Sequence, residues 1–514
     1  MRQSIEYEDD CACASTPIIF SNVNPPVFYE EDCACSPSLS LTAENLPRKG
    51  LYHSAPALHK TPLDSSHQAV YNPLGNSPLA VMNDSALRLL EAFDAPTSLA
   101  EAVAKFSEFP PDEALNSARE MIALGIVQNV EQAGINLTRG APADTLTAWL
   151  HLTNACNLRC DYCYLQKTRE RMSLETGKKS VDAVLRSATA QAFKQVKLKY
   201  AGGESTLEFD LLLQLHDYAQ SRSNALGLGL TGVVLSNGIG ISGGMISALS
   251  ARNLRLSISL DGLEEYHDAQ RKFINGRGSF TQVERSLERL TRRNFKPSIT
   301  VTVSQRNAEG LPQVVEYLLA RELPFTINFY RANEHSAAFE DLAYQDEQII
   351  TAMKAAFAKI EGNLPPFSIL GAITDRARLD VPHQQPCGVG DSYMVVDQNG
   401  NIAKCHAEIN RSITDVTAVD PLKVLQIDQS GIQNVTVEEK EGCRACAWKY
   451  ACAGGCPALT YRVTGRYDVQ SPNCRIYKAL FPEVLRLEGL RVLKYAAERA
   501  AGLASSLSEK SVSL

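Results

Sequence analysis

Cys156, Cys160 and Cys163 stand in a C-x3-C-x2-C pattern. Three thiolates in one short loop can bind three irons of a [4Fe–4S] cluster and leave the fourth open. An open coordination position is where a metal site does chemistry, as in catalytic as opposed to structural zinc. The competing assignment is a three-cysteine zinc site completed by a distant fourth ligand. A second array comprises Cys387, Cys405, Cys443, Cys446, Cys452, Cys456 and Cys474, and taken alone its C-x2-C pair with later cysteines would favour structural zinc. The last four cysteines fall in an acidic repeat, Tyr7-Glu8-Asp9-Asp10-Cys11-Ala12-Cys13 and Tyr29-Glu30-Glu31-Asp32-Cys33-Ala34-Cys35. Fourteen cysteines in 514 residues are far too sparse for a secreted disulfide scaffold, so thiols or metal ligands in a reducing cytosol are expected.

The elements that must position the first loop are readable from periodicity. Strands are expected near 149–153, 196–200, 230–236, 254–260, 298–304 and 325–330, alternating with helical stretches. Repeated strand–helix units imply an α/β fold with a parallel sheet, as a barrel or an open sheet, that binds ligands at the carboxyl ends of its strands. The cysteine loop follows the first strand. Gly202-Gly203-Glu204 follows the second, Ser236-Asn237-Gly238 the third, and Ser259-Leu260-Asp261-Gly262 the fourth.

On either side the pattern changes. Residues 1–66 read as a mobile acidic tail. From 67 to 133 the pattern reads as helical: Leu87, Leu90 and Phe93 share a face, Ser98-x-x-Glu101 is a capping box, and Leu99, Val103 and Phe106 form a second stripe. A third helix carrying Leu115, Ala118 and Ile122 stops at Gly125 before a strand at Ile126-Val127, which together suggest a winged-helix-like domain. Residues 134–146 read as a linker, 147–340 as the α/β core and 341–386 as a helical bridge. Residues 387–480 have few apolar stripes and would need metal to hold them together. A C-terminal helix and tail fill 481–514.

Composition narrows the function. Apolar residues at 44% and charged residues at 21% fit a folded globular chain. Net charge is −7, with −6 in residues 1–36 and −6 in residues 67–133, so neither segment offers the basic stripe that nucleic acid requires. No apolar run approaches the roughly 18 residues of a membrane span, and the amino terminus lacks a signal sequence, so a cytoplasmic protein without membrane contact is expected.

The cysteine loop and the strand-end motifs resemble the radical S-adenosylmethionine (SAM) superfamily, which implies a partial (β/α)6 barrel. By that resemblance Cys156, Cys160 and Cys163 bind the catalytic cluster whose open iron chelates SAM. Gly202, Gly203 and Glu204 resemble the motif that contacts the SAM amino group, with Ser205 standing where relatives often have proline. Ser236, Asn237, Ser259 and Asp261 resemble elements that touch the ribose and carboxylate, and Tyr162 resembles the aromatic beside the adenine. His267-Asp268, Arg271 and the stretch Gly276–Phe280 match the peptide-modifying branch. The seven later cysteines resemble the SPASM domain with two auxiliary [4Fe–4S] clusters. Cys443, Cys446, Cys452 and Cys474 would hold one, and Cys387, Cys405 and Cys456 the other with one iron short of a cysteine. Residues 67–133 resemble a PqqD-like recognition element, which captures a leader peptide by strand addition.

These resemblances imply an enzyme that modifies a ribosomally made precursor peptide. It would abstract hydrogen with a 5′-deoxyadenosyl radical and form a thioether or carbon–carbon crosslink, fed by an electron donor such as flavodoxin or ferredoxin. The enzymatic alternative is an anaerobic sulfatase-maturating type acting on a protein. The non-enzymatic one is a zinc-stabilised binding protein.

Overall fold

The computed structural model describes residues 19–21, 50–75, 79–106, 110–132 and 144–511. The described chain divides into two compact units. The first holds the described residues up to Gln132 and the helix from Glu488 onward, and the second spans 144–487.

The first unit contains strands β1 (Ile19–Ser21), β2 (Tyr52–Ser54), β3 (His59–Pro62), β4 (His67–Tyr71), β5 (Leu79–Asn83) and β6 (Val127–Asn129). Its helices are α1 (Asp84–Glu91), α2 (Leu99–Ala104) and α3 (Pro111–Ala123). An antiparallel sheet runs in the order β1-β5-β4-β3, and β2 pairs with β6. Asn83 caps α1 by accepting the Ala86 amide at 2.9 Å, and Ser98 with Glu101 forms the expected capping box on α2. Gly125, at φ 75°, turns the chain out of α3. Val70, Met82, Leu90, Phe93 and Met121 fill the core.

Two expectations are corrected here. Residues 50–62 are not tail but supply β2 and β3. Residues 67–83, read as the start of a helical pattern, form the β4–β5 hairpin, because Asn72 accepts the Leu74 amide and its carbonyl takes the Gly75 amide at 3.0 Å, a turn that breaks any helix. The Cys-Ala-Cys repeats and most of the 134–146 linker lie outside the described residues.

The second unit is built on a nine-stranded mixed sheet. Its strands are β7 (Thr145–His151), β9 (Gln195–Ala201), β10 (Gly229–Ser236), β11 (Arg255–Ser259), β13 (Ser298–Val303), β14 (Phe325–Phe329), β15 (Tyr393–Val396), β16 (Asn401–Ala403) and β17 (Thr414–Asp415). Six of them, β14-β13-β11-β10-β9-β7, are parallel neighbours at the expected positions, each within a few residues. A separate ribbon pairs β8 (Leu158–Cys160) with β12 (Arg271–Phe273). Crossover helices α4 (Leu174–Ala190), α5 (Phe209–Ala225), α6 (Gly243–Ala251), α7 (Glu264–Asp268), α8 (Phe280–Thr291) and α9 (Leu311–Ala320) join the strands. β15 continues the sheet beyond β7, in parallel, and β16 and β17 follow it antiparallel.

The bridge expected over 341–386 is helical only in α10 (Asp346–Gly362), after which the chain runs irregularly past the buried Asp375. Three short helices follow, α11 (Pro421–Ile427), α12 (Lys449–Cys452), which ends on Cys452, and α13 (Pro457–Thr464), which starts directly after Cys456. The last helix, α14 (Cys474–Ser511), begins seven residues before the expected boundary at 481, with the final cysteine as its first residue. No described helix is long and apolar enough to cross a membrane.

Candidate active site

The cysteine loop is fixed at both ends by backbone. After β7, the Thr153 hydroxyl donates to the Glu170 carbonyl at 2.9 Å and accepts the Ala155 amide at 3.1 Å. The loop then enters β8, where Cys160 lies opposite Arg271 of β12. Between them the Leu158 amide points at Cys156 Sγ, 3.4 Å away.

The two glycines after β9 explain how the second strand end reaches this loop. The Gly203 amide donates to the Thr153 carbonyl at 2.7 Å and the Glu204 amide to the Ala155 carbonyl at 2.9 Å. A Cβ on Gly202 would lie 2.6 Å from the Thr153 oxygen, and one on Gly203 2.3 Å from the Ala155 oxygen. Here the close approach is between β9 and the base of the cysteine loop.

Glu204, 1% exposed, is a hub. Its Oε1 accepts the Ser236 hydroxyl at 2.8 Å and the Thr206 hydroxyl at 2.7 Å, and its Oε2 accepts the Asn237 amide at 2.7 Å. The Asn237 side chain donates to Asn157 at 2.7 Å inside the cysteine loop, and Gly238 beyond it adopts φ 78°. The ends of β9 and β10 and the loop are thus one hydrogen-bonded assembly.

Asp261 is a second hub. Its carboxylate accepts the Tyr162 hydroxyl at 2.7 Å, the Gln270 amide group at 2.9 Å and the Thr302 backbone amide at 2.9 Å. Arg271 donates to the Tyr162 hydroxyl and lies 3.7 Å from Asp261, while its Nε is buried with no hydrogen-bond partner. Burial pushes the Tyr162 hydroxyl far above its ordinary pKa, so it stays a proton donor.

Burial also raises the Cys156 thiol, and Cys160 is pushed up to about 12 against the opposing pull of Arg271. A bound metal must therefore displace these protons. Burial works against the Lys167 ammonium, yet the neighbouring thiols, Cys163 foremost, raise its pKa, and its Nζ donates to Cys163 Sγ at 3.1 Å.

A cavity of about 250 Å3 opens at these strand ends. It is lined by Tyr162, Cys163, Gly202, Gly203, Glu204, Ser236, Asn237 and Ser259. Asp261, Cys156 and Cys160 are not among its lining residues; Asp261 meets the lining through the Tyr162 hydroxyl. Residues that sequence reasoning did not single out also line it, among them Trp149, Arg331, Arg376, His406 and Arg462. His406 stacks on Trp149 with ring centroids 4.6 Å apart, and its pKa is lowered to about 3 by burial and then by Arg376 and Lys199. Arg331 pairs with the buried Asp375 at 2.6 Å. Its position beside Cys405 was the available signal for His406; the arginines had none, being scattered in sequence.

Two smaller cavities lie among the later cysteines. One is lined by Cys387, Cys405 and Cys456, the other by Cys443, Cys446, Cys452 and Cys474. Three successive left-handed residues, Ala453, Gly454 and Gly455, turn the chain from the second set toward Cys456 of the first. The buried Lys440 donates to the Ala453 carbonyl at 2.9 Å, and cysteines of both sets act on its charge. All ten described cysteines are free of disulfides. Among the described residues no three His, Cys, Asp or Glu side chains converge on one metal-ion position.

Residues 150–318 match the family described as the Radical SAM superfamily. This part of the chain is a radical SAM domain. The chain is 28% identical over 190 residues to the uncharacterized protein MJ0907 of Methanocaldococcus jannaschii, covering 36% of this chain and 64% of that protein. It therefore spans just under two thirds of that relative's length. It is 21% identical over 327 residues to a cysteine-type anaerobic sulfatase-maturating enzyme of Clostridium perfringens, covering 59% of this chain and 86% of the relative. The solved structure of anSMEcpe with bound AdoMet and Cp18Cys peptide aligns with a TM-score of 0.54 at 19% identity, over 67% of this chain and 99% of that one. That likeness is one of fold.

Proposed function

We propose that the chain is a radical SAM maturase of a ribosomally made peptide, with residues 50–132 capturing the precursor's leader and the later cysteines holding two auxiliary clusters. The observation that carries this reading is the sorting of the cysteines: a loop of three at the first strand end, then sets of three and four that each surround a separate cavity. A ring of thiols around a space suits a cubane cluster better than a single zinc ion. When bound, a [4Fe–4S] cluster with SAM supplies a 5′-deoxyadenosyl radical able to take hydrogen from an unactivated carbon.

The chain's own residues do the positioning. Cys156, Cys160 and Cys163 hold the cluster, with Lys167 balancing thiolate charge. Glu204, fixed by Ser236, Thr206 and Asn237, presents a carboxylate suited to an amino group. The unpartnered Nε of Arg271 suits the SAM carboxylate, and Asp261 with Tyr162 holds that guanidinium in place. Trp149, whose indole N–H is also buried without a partner, and His406 line the same cavity as a stacked pair. Flavodoxin or ferredoxin would supply the electron. In the first unit the β5 edge carries a short antiparallel strand, β1, the kind of pairing that peptide capture by strand addition would use.

Replacing Cys156, Cys160 and Cys163 together with alanine tests the assignment. The expected result is loss of 5′-deoxyadenosine formation with about two thirds of the iron retained. Undiminished SAM cleavage would overturn it. The sulfatase-maturating reading is favoured by the 86% coverage of that relative; modification of a sulfatase peptide without any need for residues 1–132 would establish it instead.

A further inference from the structure

The four-stranded sheet of the first unit has two unlike edges. At one end β3 reads His59-Lys60-Thr61-Pro62, with a lysine and a terminal proline that blunt it against further pairing. At the other end β5 reads Leu79-Ala80-Val81-Met82-Asn83, wholly buried and with neither a charge nor a proline. Such an edge demands a partner. It has one: β1, three residues long, pairs antiparallel with it, setting Ile19 opposite Met82, Phe20 opposite Val81 and Ser21 opposite Ala80.

β1 differs from every other strand of this sheet. β3, β4 and β5 follow one another through short turns, whereas β1 is reached only through the chain between Ser21 and Tyr52. Three residues offer few main-chain hydrogen bonds, so a longer strand on the same edge has more to gain. A strand docked from the same chain acts at an effective concentration of about 1 mM. A segment whose free-peptide dissociation constant is about 0.1 mM is then docked roughly ten times as often as it is released.

We propose that the outer edge of β5 is a peptide-docking edge that the chain keeps closed with its own Ile19–Ser21 strand, and that an extended apolar segment of the peptide partner opens it by replacing that strand. The partner rests on the reading of this unit as a peptide-capture element; the closure in cis rests on the β1–β5 pairing alone. The incoming segment runs antiparallel to Leu79–Asn83 and carries branched or aromatic residues like those of Ile19-Phe20. The cis strand lowers the apparent affinity of any such peptide by the fraction of time the edge is open. It also covers an aggregation-prone edge when no partner is present.

The probe is a fluorescent synthetic peptide of residues 14–26. It is titrated into the full-length holoenzyme, the holoenzyme lacking residues 1–24, and the full-length Ile19→Pro/Phe20→Pro variant, whose two prolines remove a donor in either phase of the ladder. The expected result is binding about tenfold tighter to both altered proteins than to the parent, with hydrogen exchange at Leu79–Asn83 fast in the altered proteins and slowed again by peptide. The peptide carrying both prolines should not bind. Equal affinity for all three proteins, protection elsewhere than Leu79–Asn83, or no binding to the two altered proteins would overturn the proposal. So would a dimer that dissociates when residues 1–24 are removed, since the strand would then come from a second copy. SAM cleavage without substrate is measured on the same samples. Its loss would count against the radical SAM reading, and normal cleavage without peptide docking against the edge alone.

Discussion

Trp149 lies flat against His406, ring centroids 4.6 Å apart and planes 13° from parallel. The first residue belongs to β7, which leads into the Cys156–Cys163 loop, and the second directly follows Cys405 of the later array. One stacked pair therefore ties the radical SAM domain to the later cysteines across the cavity wall.

Trp149→Ala should destabilise the protein by about 3–5 kcal/mol, because a buried aromatic and its stacking partner lose contact together. Denaturant unfolding measures this. Trp149→Phe should recover most of the loss.

Gly203→Ala should disable the cysteine loop, since its Cβ would fall 2.3 Å from a backbone oxygen that has no freedom to retreat. SAM affinity, measured by calorimetry on the reconstituted enzyme, should fall at least tenfold while the fold, read by circular dichroism, is kept. Gly244→Ala is the control: its nearest neighbour would be the Ser242 hydroxyl at 3.8 Å.

The glycine pair also shows what the sequence could and could not disclose. Strong alternation of strand and helix made the six parallel strands legible from Trp149 to Phe329, whereas the division of the later cysteines into Cys387, Cys405 and Cys456 against Cys443, Cys446, Cys452 and Cys474 came only from the resemblance to a SPASM domain, since by spacing Cys456 falls in with Cys443, Cys446 and Cys452. The reason for Gly202 and Gly203 was not legible, because it depends on Thr153 and Ala155, some fifty residues earlier. The hairpin at 67–83 was missed for a related reason. Its strands are short and wholly buried on β5, so they show no alternation to set against the helical stripe that follows.

Asp261→Asn should cost about 3–5 kcal/mol, because it leaves the Arg271 guanidinium buried beside a neutral partner. Chemical denaturation of the apoprotein would read this directly. Asp261→Asn combined with Arg271→Met should recover part of the stability.

Acid should destabilise the fold below neutrality. His151 and His383 are buried, and desolvation lowers each to about 4. Their unfolded pKa lies near 6.5, so between about pH 6.5 and 4 the unfolded chain binds more protons than the folded one, and stability falls with pH by up to about 1.4 kcal/mol per unit for each histidine. Unfolding midpoints from pH 7.5 to 4.5 should show this slope. His383→Gln should lessen the slope by one histidine's share, provided the variant keeps the parent stability at pH 7.5 to within about 2 kcal/mol.

The parallel pairing of β15 with β7, Tyr393 to Val396 against Thr147 to Leu150, bears on how such a protein could be inherited or cut. A chain ending before Tyr393 would keep every residue of the radical SAM domain, yet would bare the edge of β7, a row of buried, mostly apolar residues. It should then associate through that edge and fall out of solution. Recombination that treated the later cysteines as a removable cassette would fail for the same reason, so the two halves of this sheet are expected to travel through evolution as one piece.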